Sequence, residues 1–361
     1  LAKKLAFDKV LSTTVLLMIG LGLVMVYSAS AVVGGESAYG LNRVFVKQVL
    51  AAGLGILAML AVMHVDYRRY KSPAMVYALL GGSVGLLVLV LFSPPINGTR
   101  RWILAGGFSF QPSELAKIAL VVYLAYLIER RADRERDREL LIPACFVTVL
   151  MVVLILLETD LGTSVVLIAA CCLMLFLAGL RWRYFVAATL ALVPTIWLLI
   201  ISVPYRRARL LNFLDPERDP LNTGYQATQS LIAIGSGGVF GLGPGQSLQK
   251  LYFLPYPHSD FIFSILAEEL GLIGALALLG LFVVVVWRGV RAGLDAPDAF
   301  GRYLAWGLAG VICVQAFIHA SVAAALMPTT GIPLPFISYG GSSLVITLAA
   351  MGILLNVSQH G

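Results

Sequence analysis

Long apolar runs separated by short polar connectors recur along the whole chain, each of about 20 residues, the length a helix needs to cross a bilayer. They fall near 10–30, 44–64, 74–92, 113–128, 141–157, 163–180, 184–203, 262–287, 303–327 and 337–356. This predicts an all-α membrane protein of about ten transmembrane helices, built as a single polytopic membrane domain over 1–361. The first run, near 10–33, is too long for a cleavable signal peptide and lacks a clear small-residue cleavage site, so it is expected to stay as a span. The fifth and sixth runs are separated only by Glu158-Thr159-Asp160-Leu161-Gly162, a tight hairpin with two acids at its tip.

The connectors set the orientation. With a cytoplasmic amino terminus, Lys3, Lys4, Lys9, Arg68, Arg69, Lys71, the arginines from Arg130 to Arg138, Arg181, Arg183, Arg288, Arg291 and Arg302 all face inward. Lysine and arginine favour cytoplasmic short loops, so both termini are expected inside. The charge run 129–139 reads as a solvated helix extension of alternating sign. The connector 204–261, between spans seven and eight, is the large extracytoplasmic loop. Connections beyond about 15 residues are usually functional or disordered. This one carries Leu210, Phe213, Leu231, Phe240 and Phe253, so it is expected to fold as a cap on the outer membrane face. Within it, 206–214 resembles an interfacial amphipathic segment, and 224–234 reads as a short helix stopped by Gly235-Ser236-Gly237-Gly238.

Composition agrees: 59% of residues are hydrophobic and 12% charged, against about 25% charged in soluble proteins. The net charge of +7 sits in connector clusters rather than on one face, which speaks against nucleic acid as a partner. Cys145, Cys171, Cys172 and Cys313 lie inside apolar runs, away from any metal-ligand spacing. Gly241-Leu-Gly-Pro-Gly245 lacks the lysine of a nucleotide-binding loop.

Ionisable groups at or within spans are costly and point to function. Lys47, Arg100, Arg101, Glu114, Lys117, Glu158, Asp160, Asp260, Glu268 and Glu269 all fall at or just below the outer face. Basic groups there could hold a phosphate-bearing head group, and acids could act as bases or hold a divalent cation. Pro112-Ser113-Glu114 starts a helix that puts Glu114 and Lys117 on one face, as a plain ion pair or as part of a cavity. Asp260 follows Leu254-Pro255-Tyr256-Pro257-His258-Ser259, where the loop re-enters the membrane; on local chemistry alone Ser259 or Asp260 could equally cap the next helix. Pro333 to Ser343 is rich in small residues that allow close helix approach or an irregular backbone.

Taken in order, Asn97 to Trp102, Gln111 to Lys117, Phe213 to Pro216 through Gly224-Tyr225-Gln226, Gln229 to Gly238, His258 to Phe263 with Glu268 to Gly271, and Pro333 to Ser343 resemble the SEDS proteins of bacterial cell-wall synthesis, over almost the whole chain. The resemblance implies ten helices with a large loop after the seventh, in the bacterial cytoplasmic membrane. It implies a peptidoglycan glycosyltransferase that polymerises lipid II beside a class B penicillin-binding transpeptidase and other membrane proteins of division or elongation. Gln249-Lys250-Leu251 and Gln229-Ser230-Leu231 lean to the division branch, Gly331-Ile-Pro-Leu-Pro335 to the elongation branch.

The resemblance also makes Asp260 the catalytic acid–base residue, taking the acceptor hydroxyl's proton. Lys117, Arg100, Arg101 and Lys47 would steady the departing pyrophosphate, with a divalent cation, Mg or Mn, as a candidate cofactor; Glu114 and Asp160 would orient those basic groups or hold the metal. Gln111, Ser113, His258 and Gln226 complete the expected substrate contacts. Departures from the family pattern are Lys47 for an arginine, Glu158-Thr159 for a glutamine-proline pair, Tyr256 for a glutamate and Ser259 for a threonine. The alternative is a lipid II flippase or another transporter of lipid-linked substrate, which would gather its polar groups at mid-bilayer on broken helices; a third reading is a scaffold that only recruits a transpeptidase.

Overall fold

The computed structural model describes residues 7–31, 42–96, 98–105, 108–131, 137–202, 223–251 and 253–360, with Arg207 and Phe213 as isolated positions. The helices are α1 (Lys9–Ser30), α2 (Arg43–Met63), α3 (Pro73–Val90), α4 (Pro112–Arg130), α5 (Arg138–Leu157), α6 (Leu161–Leu177), α7 (Trp182–Ile201), α8 (Thr223–Gly237), α9 (Ile262–Asp295), α10 (Ala299–Ala323) and α11 (Gly341–Ser358). A short antiparallel hairpin, β1 (Ile103–Ala105) with β2 (Phe108–Phe110), leads into α4.

Local chemistry sets the ends. Asp8, Asn42, Ser72, Asp160 and Asp298 each accept a backbone N–H in the first turn of the helix they precede. Pro73 and Pro112 occupy first-turn positions, where a missing N–H costs nothing. The predicted short helix is found as α8, which continues through Gly235 and Ser236 and ends at Gly237, ahead of Gly238 with φ of 53°. The segment 206–214 and the middle of the charge run lie almost wholly outside the described residues.

Among the described residues, seven helices are long and apolar enough to cross a membrane, and α6 is apolar but shorter. Outward-facing Leu17, Leu57, Phe146, Leu190 and Val283 are more than half exposed, a burden only lipid relieves. This is a multi-pass membrane protein. α4, α10 and α11 form the interior and are buried over most of their length. α4 reads weakly in hydropathy because it carries Glu114, Lys117, Glu129 and Arg130, yet it is enclosed by other helices rather than by lipid. α2 and α11 meet backbone to backbone, since a Cβ on Gly352 would lie 2.5 Å from the Met59 carbonyl.

Candidate active site

The antiparallel run of helices brings the starts of α2, α4, α6, α9 and α11 to one end of the bundle. The 330–340 segment, between α10 and α11, threads through them and runs into the first turn of α11.

The approach to α9 turns tightly: Tyr256 has φ of 53°, and its carbonyl accepts from the Ser259 and Asp260 amides, both at 3.2 Å. The N-cap position of α9 is Phe261, so neither Ser259 nor Asp260 stands at the N-cap position that local chemistry allowed. The turn is tied to the 330–340 segment. The Ser338 hydroxyl donates to the Ser259 carbonyl at 2.7 Å, the Tyr339 amide to the His258 carbonyl at 2.8 Å, and the His258 ring meets Tyr339 edge-on at 5.5 Å. Asp260 is half-buried, and a Cβ on Gly331, which has φ of +72°, would stand 3.7 Å from its Oδ2. Burial lowers the His258 pKa, and its Nδ1 has no hydrogen-bond partner among the described residues.

Lys117 and Glu114 form a buried ion pair at 2.9 Å on the first turns of α4. Glu114 Oε2 also accepts from the Ser343 hydroxyl at 3.0 Å, and Lys117 Nζ donates to Gln315 Oε1 at 2.7 Å. Gln111, which precedes α4, donates from Nε2 to Ser113 Oγ at 3.0 Å and to Asp160 Oδ2 at 3.3 Å, while its amide donates to Ser342 Oγ at 3.2 Å. Asp160 starts α6 and accepts from the Thr163 amide and hydroxyl at 3.1 and 2.8 Å. Gly162 lets the 330–332 segment lie on this turn: a Cβ there would meet Ile332 at 2.7 Å.

Sequence pairs separate here. Arg101 reaches the α5–α6 hairpin, donating to the Glu158 and Thr159 carbonyls with Nη1 3.9 Å from Asp160. Arg100 is exposed and turns back to the Leu91 carbonyl at 2.7 Å. Lys47 is exposed, whereas Gln48 is buried and bonds to both the Ser338 carbonyl (3.1 Å) and the Gly340 amide (3.2 Å). Gln226 is half-buried on α8. Glu158 is fully buried with neither carboxyl oxygen paired among the described residues; burial and then Asp160 push its pKa up to about 8.

Glu268 and Glu269, which the sequence grouped with these charges, are engaged elsewhere. α9 breaks at Gly271, φ of 68°, where the glycine turn at 241–245 packs against it. Glu268 accepts from the Leu248 amide at 3.0 Å and from Ser247 Oγ. Glu269 accepts from Lys250 Nζ and the Gly245 amide, each at 2.9 Å, and from Ser28 of α1. Both acids pin the 241–251 loop. Sequence reasoning passed over Gln48, Gln315, His319 and Lys250 as site members; the available signal was a polar residue inside an apolar run.

The donor set does not suit a resident Mg or Mn ion. Asp160 and Glu114 are spent on internal donors and Lys117, and among the described residues no three of His, Cys, Asp and Glu converge as ligands. What the arrangement offers is a half-buried carboxylate, a buried lysine, an anchored arginine and several helix N-termini at one end, which together favour an anion beside a proton acceptor.

Comparison with known proteins identifies the family. The chain is 43% identical over 364 residues to stage V sporulation protein E of Bacillus subtilis, covering 99% of this chain and 98% of the relative. It is 42% identical over 359 residues to a probable peptidoglycan glycosyltransferase FtsW of Geobacter metallireducens, covering 98% and 95%. Among solved structures, it matches a chain from work on the structural coordination of polymerization and crosslinking by a peptidoglycan synthase complex, with a TM-score of 0.81, 34% identity and 98% of both chains covered. It also matches the rod shape determining protein RodA of Thermus thermophilus, with a TM-score of 0.72, 32% identity and 98% and 97% covered. A family profile described as cell cycle protein, for FtsW, RodA and SpoVE, matches residues 8–361, and the chain belongs to that family.

Proposed function

We propose that this protein is a peptidoglycan glycosyltransferase that polymerises lipid II at the outer face of the bacterial cytoplasmic membrane. It would cross the membrane ten times, with both termini cytoplasmic and residues 204–261 as its outer cap. The observation that carries the reading is the stretch from residue 330 into the first turn of α11, which is bonded to the turn before Asp260 through Ser338 and Tyr339, to Glu114 through Ser343 and to Gln111 through Ser342, and which passes Asp260 at Gly331, where an added Cβ would lie 3.7 Å from Oδ2. Relatives and structural neighbours named for peptidoglycan synthesis support it.

In this reading Asp260 takes the proton from the acceptor sugar's hydroxyl as that oxygen attacks the donor's anomeric carbon. The bond to the lipid-linked pyrophosphate breaks in the same displacement, inverting the centre. Lys117 has three N–H donors and uses two on Glu114 and Gln315, which leaves one for a phosphate oxygen. Arg101 adds positive charge from the hairpin. A divalent cation, Mg or Mn, would arrive on the pyrophosphate rather than on a ready protein site. The hydrocarbon tail has a fitting groove between α5, α6 and α7: a cavity of about 660 Å³ lined by Val149, Val153, Leu157, Leu161, Val165 and Phe185, which reaches the hairpin bearing Asp160. The partner would be a class B penicillin-binding transpeptidase docked through membrane helices, with other division or elongation proteins. A transporter would use charges on a broken helix, but Glu268 and Glu269 at the α9 break are taken up by the 241–251 loop.

The test is Asp260→Asn in the purified full chain with its transpeptidase, assayed for glycan polymer from lipid II. Loss of polymer with the complex intact is expected; undiminished polymerisation would remove Asp260 from the chemistry. Lipid II flipping in vesicles without polymer would instead favour transport.

A further inference from the structure

We propose that Gln315 is a positioning residue that couples Lys117 to the backbone facing Asp260, so that pyrophosphate binding and proton transfer act as one unit. The inference rests on the glycosyltransferase reading and deepens it. Gln315 lies on α10 and is 2% exposed. Its two amide ends have different partners: Oε1 accepts from Lys117 Nζ at 2.7 Å, and Nε2 donates to the Pro333 carbonyl at 2.8 Å. Its orientation is forced, because an ammonium only donates and a carbonyl only accepts.

One turn further along α10, His319 Nδ1 lies 2.8 Å from the Ile332 carbonyl. That contact requires the Nδ1–H tautomer when the ring is neutral. Residues 315 and 319 share a helix face, so this face grips two consecutive carbonyls. The residue just before them is Gly331, whose missing Cβ leaves the space 3.7 Å from Asp260 Oδ2. A displacement of Lys117 is therefore passed through one rigid amide to the wall of the acid–base site. Neither Gln315 nor His319 needs to touch substrate for this.

The test uses the full chain with its transpeptidase, with lipid II as the probe, and reads kcat and KM separately. Gln315→Glu keeps an acceptor for Lys117 but sets oxygen against the Pro333 carbonyl; Gln315→Met keeps the volume and loses both bonds. For Gln315→Glu, kcat should fall about tenfold or more, because small misplacements of a reacting group are costly, while KM stays within about twofold. Gln315→Met should lower kcat and also raise KM. Combining Gln315→Glu with Gly331→Ala should give less than the product of the two single losses, as expected when both act through one backbone segment. Unchanged kcat with raised KM, or strictly multiplicative losses, would overturn the coupling. If the methionine variant does not fold, the glutamate variant decides alone. Absence of polymer from the parent chain would overturn the glycosyltransferase reading and this inference with it; an active parent with unaffected variants would overturn this inference only.

Discussion

Replacing Glu158 by glutamine, the residue the family pattern more usually carries there, isolates one electrostatic cost. Glu158 ends α5 beside Asp160, is fully buried and has both oxygens unpaired among the described residues. Burial is the main cause that raises its pKa from 4.5 to about 8, Asp160 adds to it, and Arg101 pulls the other way. Below pH 4.5 the group is neutral whether the chain is folded or not, and it contributes nothing. Between 4.5 and about 8 the unfolded chain releases a proton that the folded protein keeps. Each pH unit in that window removes about 1.4 kcal/mol of stability, or about 3 kcal/mol by pH 7. Above about 8 the loss levels off. Glu158→Gln has no proton to release, so it should be the more stable protein at neutral pH. The assay is thermal unfolding of both proteins in the same detergent from about pH 5 to pH 8. The two midpoints should nearly coincide at the acid end and diverge steadily as pH rises. A constant offset across the range would refute the buried-acid reasoning.

Three further outcomes follow from the same geometry. Arg101→Ala frees the α5–α6 hairpin and should lower lipid II polymerisation about a hundredfold, whereas Arg100→Ala, which loses only an exposed bond to Leu91, should stay within about twofold; polymer length on gels separates them. Glu114→Gln leaves Lys117 as a buried charge short of a partner and should cost about 3–5 kcal/mol in thermal unfolding, while the double variant with Lys117→Met should recover most of that stability and none of the activity. Lys250→Met strands Glu269 at a similar cost, about 3 kcal/mol, and should open the 241–251 loop to limited proteolysis, with Glu269→Gln in the same chain restoring protection.

The fold was legible because the bilayer imposes a single rule on every segment. Backbone groups have no water to bond, so an apolar run long enough to span must be helical, and its boundaries can be read from where polarity returns. α4 shows the limit of that rule: its charges weaken the apolar signal because it packs among helices and holds the Glu114–Lys117 pair. The site was half legible. Scarcity of charge singled out Asp260, Lys117 and Asp160, but it could not say which way a flexible cation turns. Arg100 and Arg101 are neighbours in sequence, yet one folds back on Leu91 and the other crosses to Glu158 and Thr159. Glu268 and Glu269 carried the same signal as Asp260 but serve the 241–251 loop, a distinction only their partners reveal.

The residues that escaped notice were uncharged, and the reason is physical. The 330–340 segment is interrupted by Gly331, Pro333, Pro335 and Gly340, so its backbone cannot satisfy itself as a helix. Irregular backbone at membrane depth survives only where protein supplies the missing bonds. Gln48 takes the Ser338 carbonyl and the Gly340 amide, Gln315 the Pro333 carbonyl, His319 the Ile332 carbonyl, and the Ser338 hydroxyl accepts the Leu334 amide. Amides and hydroxyls suit this work because each can donate, accept or do both without the desolvation cost of a charge. The charged groups can then be few, because the neutral ones hold the frame in which Asp260 and Lys117 are set. A search for chemistry by charge alone finds the groups proposed to react and misses those that fix where they stand.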